Sequence, residues 1–141
     1  MSASEWNERR APSLAEFEAM AAAAFAELPE DFRNLCAGVV IRVEDFPDDE
    51  IAREMEIEGS YELLGLFTGV GLSEDTAMPE SGRLPNTVLL YRRPILDYWA
   101  EHEETLGRII THVLVHEIGH HFGLSDEDME ALEAAAEAAG E

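Results

Sequence analysis

A chain of 141 residues has the length of one compact domain, and no second catalytic lobe is expected. Nine basic residues, all arginine, stand against 31 acidic ones, and the resulting net charge of −22 excludes nucleic acid, whose phosphates are bound by clustered positive charge. Hydrophobic residues make up 46 % of the chain, enough for a core, while the single cysteine, Cys36, excludes an intramolecular disulfide. The first ten residues lack the basic-then-apolar order of a secretory signal. The longest apolar run, Ala19 to Ala26, falls far short of the ~18–20 residues that span a bilayer, so a soluble cytoplasmic protein without membrane contact is expected.

Residues 1–12 read as a flexible N-terminus, 13–133 as the domain, and 134–141 as a frayed acidic tail. Ser13, with Glu16 three residues on, offers a helix cap, and Leu14, Phe17, Ala21, Phe25 and Leu28 recur at helical spacing, which predicts a helix over about 14–28. Beyond Pro29, the stretch Cys36 to Glu44 places Val39, Ile41 and Val43 on one face and reads as a strand. Asp48 to Met55 reads as a short acidic-capped helix and Leu63 to Phe67 as a second strand. Thr68 to Pro85 is dense in Gly, Ser and Pro and predicts the longest loop. Asn86 to Arg92 makes a third strand, ended by Pro94, whose exposed edge could receive an extended peptide. A long helix over about 103–121 carries Leu106, Ile109, Ile110, Val113, Leu114 and Ile118 on its apolar side, and an Ala-rich helix follows Ser125. The expected fold class is α+β: a small mixed sheet of three or four strands packed on the long helix, with helices at both ends.

Within the long helix stands His116-Glu117-Ile118-Gly119-His120. Positions four apart on a helix lie ~40° from vertical alignment and ~6 Å apart along the axis, so both imidazoles can converge on one ion. Two neutral nitrogen ligands suit zinc, and Glu117, displaced around the helix, is placed to touch a water there as general base. Gly123 follows His120 by three residues and Asp126 by six. A glycine with positive φ at the helix end can swing the chain back, which makes Asp126 a third ligand and leaves a fourth tetrahedral position open. Asp126 also suits the first turn of the last helix, where Ser125 and Asp128 form a capping box, and the two roles are compatible. His112 extends the four-residue ladder, but one ion does not sit between three successive turns, which gives His112 a packing or supporting role. His121 points to another face. Tyr91 and Tyr98 read as packing, with donation to a developing oxyanion as the alternative.

The run from His116 to Asp126, together with Leu63 to Gly69 and Leu84 to Pro94, resembles the small bacterial zincin-like metallopeptidases with a minimal metzincin-type fold, and the resemblance covers roughly residues 14 to 133. It implies His116, His120 and Asp126 as zinc ligands, Glu117 as the base, and a small mixed sheet packed on the active-site helix. Larger metzincins usually have His where Asp126 stands and a methionine turn in a second lobe, whereas Met129 follows Asp126 too closely to be that turn. The expected function is zinc-dependent peptide hydrolysis of flexible or unfolded segments, basic or neutral ones favoured. The alternatives are a non-catalytic metal-binding module, in which zinc fastens the long helix to the last one, and an acidic protein-interaction module. Glu117 discriminates among them, because a structural ion needs ligands and no base.

Overall fold

The computed structural model describes residues 2–69 and 86–140. Most of the loop expected over 68–85, with Met78, lies outside them. The elements are α1 (Ala3–Asn7), α2 (Leu14–Ala26), α3 (Glu30–Leu35), β1 (Val40–Glu44), α4 (Asp49–Glu54), β2 (Gly65–Thr68), β3 (Thr87–Tyr91), α5 (Arg92–Glu101), α6 (Leu106–His121) and α7 (Asp126–Gly140). The α+β class and the three strands agree with the sequence reading.

The capping box at Ser13 is formed: its Oγ accepts from the Glu16 N–H at 3.1 Å and its own N–H donates to Glu16 Oε1 at 2.9 Å. Phe17, Ala21 and Ala24 are the buried face of α2. After Pro29 the chain makes the six-residue α3 in place of an immediate strand. Its acidic first turn suits the helix dipole, Phe32 is buried, and the Arg33 Nε donates to the Leu28 carbonyl at 2.8 Å. Gly38 at φ +87° then turns the chain, and the strand begins only at Val40.

The sheet order is β1-β3-β2, with β1 parallel and β2 antiparallel to β3. This corrects the expected substrate edge: β3 is the central strand, paired on both sides, and its Val88, Leu89, Leu90 and Tyr91 are buried. Four consecutive buried residues mark a strand covered on both faces, which is incompatible with an edge. The strand ends at Tyr91, before Pro94 is reached, and α5 starts at once with the proline in its first turn, where no N–H is required.

Helix α6 is the centre of the fold and packs on α2, α5, α7, β2 and β3. It starts three residues later than its apolar pattern suggested, at a Thr105 cap whose Oγ1 accepts from the Arg108 N–H at 3.2 Å. Leu106, Ile109, Ile110, Val113, Leu114, Val115 and Ile118 are all buried. The last helix packs against α6 and runs to Gly140, over residues read as a frayed tail, because its alanines favour helix and Ala136 is buried in the core. Arg108 pairs with Glu104 and with Glu137, which ties the start of α6 to the end of α7.

Close approach of α7 depends on Gly119. A Cβ added there would lie 2.7 Å from Met129 Sδ and 3.0 Å from Met129 Cγ, and Met129 is fully buried. Gly119→Ala is therefore expected to overpack the α6–α7 contact and cost about 1–3 kcal/mol of stability. Urea denaturation of the variant and the wild type checks this; equal midpoints would show that the methionine yields freely.

Candidate active site

The helix ending that follows the motif has the geometry the glycine implied. Gly123 sits at φ +75°, its N–H donates to the His120 carbonyl at 3.2 Å, and the Leu124 N–H donates to the Gly119 carbonyl at 2.9 Å. These two bonds are the 5→2 and 6→1 pair of a Schellman ending. The chain then enters α7 through a Ser125–Asp128 capping box, with the Ser125 Oγ accepting from the Asp128 N–H at 3.1 Å.

His116 and His120 lie as neighbours on α6, their ring centroids 5.7 Å apart and nearly perpendicular. His120 is exposed and His116 half-buried. Asp126 is exposed in the first turn of α7. The set whose donor atoms all lie within 4.8 Å of one another, among the described residues, is His112, His116 and Glu133; His120 and Asp126 are outside it. Glu133 of α7 reaches across with Oε1 2.8 Å from His112 Nδ1 and Oε2 3.3 Å from His116 Nε2. The rings of His112 and His116 pack with centroids 3.9 Å apart. The sequence suggested a supporting role for His112, but Glu133 carries no local signal: only the packing of α7 on α6 brings it there.

Glu117 faces β2, displaced around the helix from His116 and within the influence of His120. Its carboxylate accepts from the Phe67 N–H and is influenced by His120, but burial dominates and raises its pKa above the usual carboxylate value. In the β2–β3 ladder Leu66 pairs with Leu89, and the Tyr91 N–H donates to the Leu64 carbonyl. Bonded and non-bonded pairs alternate in an antiparallel ladder, so the peptide groups of Gly65 and Phe67 point away from β3, toward the edge where Glu117 stands.

Gly65 sets the distance between that edge and α6. A Cβ added there would meet Val113 Cγ1 at 2.5 Å, the Leu89 carbonyl oxygen at 3.0 Å and Glu117 Cγ at 3.6 Å. Gly65→Ala is expected to push β2 and α6 apart, destabilising the fold by about 1–3 kcal/mol. Thermal melting checks this, and an unchanged Tm would contradict the tight packing.

Phe67 stacks on His121, centroids 3.9 Å apart, and edges onto Phe122, so these aromatics brace the end of α6 against β2. Tyr98 stacks on His102 at 3.7 Å. Tyr91 is fully buried, and its hydroxyl has no hydrogen-bond partner among the described residues. Burial, with the nearby charges of Glu44, Asp48 and Glu117, pushes its pKa up to about 12, so it stays protonated in the core. The buried Cys36 thiol is likewise raised, to about 11, which leaves it inert as a nucleophile.

A cleft of 1110 Å³ opens between α2, α7 and the start of α6, with His112 and Glu133 in its wall. Neither Glu117 nor His120 lines it. No helix among the described residues is long and apolar enough to cross a membrane.

A family model described as zincin-like metallopeptidase matches residues 36–136, from the end of α3 into α7 and more than half of the chain. The search of curated proteins with this chain found no match.

Proposed function

The chain belongs to the zincin-like metallopeptidase family, and from that premise we propose that it hydrolyses peptide bonds with zinc held by His116, His120 and Asp126 and with Glu117 as general base. The observation that carries this reading is the position of Glu117: next to the His pair, partly withdrawn from water, with its pKa raised by burial, at the edge of β2 that no strand among the described residues pairs with. A raised pKa makes a carboxylate a stronger base, whereas an ion serving only to hold helices together has no use for one.

Two imidazoles one helical turn apart and an accessible carboxylate fit zinc's preference for nitrogen and oxygen donors. The Schellman ending at Gly123 supports Asp126 as third donor by turning the chain back at the end of α6. Zinc, when bound, lowers the pKa of water and polarises a carbonyl. Glu117 takes a proton from the attacking water on its carboxylate and returns it to the leaving amine nitrogen. An extended substrate adds as a strand along β2, using the Gly65 peptide groups and the Phe67 carbonyl that face away from β3, while the Phe67 N–H stays on Glu117. The Phe67 N–H, which binds Glu117, lies on this same edge, so substrate alignment and the base share one piece of backbone.

The net charge selects among substrates. A surface carrying −22 repels acidic peptides over distances that a local zinc charge, screened beyond a Debye length of ~8 Å, does not reverse. Cleavage of matched Arg-rich and Glu-rich peptides at low ionic strength is expected to favour the basic one by roughly tenfold or more through association rate, and the preference should shrink with added salt. Equal rates at low salt, or a preference indifferent to salt, would show that the acidic surface plays no part in selection.

A further inference from the structure

We propose that His112, His116 and Glu133 form a cation position of their own, suited to zinc or a similar divalent transition metal, which pins α7 to α6. All three donor atoms lie within 4.8 Å of one another, and the Glu133 carboxylate spans both imidazoles at 2.8 and 3.3 Å. Neighbouring donors on a tetrahedral zinc with bonds of ~2.0–2.1 Å are about 3.3 Å apart, so small side-chain adjustments suffice to admit the ion. Two neutral nitrogens and one carboxylate are donors that zinc accepts, and they leave a fourth position for water. The His112 side chain is 55 % exposed and, with Glu133, lines the 1110 Å³ cleft, so the ion has a way in from solvent.

The position differs from the one in the proposed peptidase site and does not rest on hydrolysis. The ladder His112, His116, His120 contains two pairs at helical spacing that share His116. His116 Nε2 has one lone pair for a metal, so an ion occupies one pair or the other. With His120 and Asp126 it serves the motif beside Glu117. With His112 and Glu133 it cross-links two helices, and because that cross-link exists only in the folded chain, binding there stabilises the fold.

The test uses Zn2+ alone, added to metal-free full-length protein, with binding followed by calorimetric titration and by Tm. In the His120→Ala/Asp126→Asn variant the motif position is disabled, yet one equivalent of zinc should still bind and raise Tm by roughly 10 °C at a concentration one hundred times its Kd. Adding Glu133→Gln, or separately the exposed His112→Ala, should weaken that binding at least tenfold and remove the Tm rise. Absence of zinc binding in the His120→Ala/Asp126→Asn variant, or binding indifferent to both further substitutions, overturns the proposal. Peptide hydrolysis that survives His120→Ala/Asp126→Asn would instead refute the motif site while leaving this position intact.

Discussion

His116→Ala is expected to abolish both stoichiometric zinc binding and peptide hydrolysis. His116 is the one imidazole common to both pairs on α6, 5.7 Å from His120 and 3.9 Å from His112 between ring centroids. Its loss leaves no two histidines at helical spacing, since His112 and His120 are two turns apart. Loss of a residue that merely supports a ligand costs about 10–100-fold in metal affinity, and loss of a shared ligand should cost more. The side chain is 27 % exposed, so truncation removes some packing against α7 without opening the core. Elemental analysis and circular dichroism together check the result: a folded variant that still carries one equivalent of zinc would show that the ion is held elsewhere.

Glu117→Gln separates chemistry from binding. Glutamine retains the shape and an oxygen that can accept from the Phe67 N–H, but it takes no proton from water at neutral pH. Zinc content should stay at the wild-type level while turnover falls roughly 10²–10⁴-fold, the usual contribution of a positioned general base. The same substitution has a stability readout. Because burial raises the Glu117 pKa above 4.5, the folded chain binds this proton more tightly than the unfolded chain does. Stability from this group is therefore greatest at low pH and declines as pH rises from the ordinary carboxylate value through the raised one. Metal-free Glu117→Gln should melt above metal-free wild type at pH 7, and the difference should close as pH falls below 4.5. A variant that hydrolyses peptides at the wild-type rate would remove Glu117 from the mechanism.

What could be read from the chain alone follows from how local each signal is. The α6 stripe, the Ser13 capping box, the positive φ at Gly123 and the Ser125–Asp128 box all depend on residues within a turn or two, and each is present. Short elements were less legible: α3 has only six residues, too few to display a helical period, and α5 starts where Pro94 signals a stop although proline suits a first helical turn. Strand order is non-local. Nothing in Thr87 to Tyr91 states that β1 and β2 flank it, although four buried residues in a row hint at a central strand. The motif placed His116, Glu117 and His120 on one helix, but the contact of Glu133 with His112 and His116 joins residues 21 and 17 positions apart in sequence, and only helix packing reveals it.

Reversible metal dependence of peptide cleavage tests the central claim most directly. Purified protein is stripped with a chelator, assayed against a library of flexible basic and neutral peptides, then reloaded with one equivalent of Zn2+ and assayed again. The account requires cleavage to disappear on stripping and return on reloading, with the reloaded Glu117→Gln variant remaining inactive. Cleavage that persists in metal-free protein, or a fully reloaded wild type that cuts none of the peptides, would contradict it.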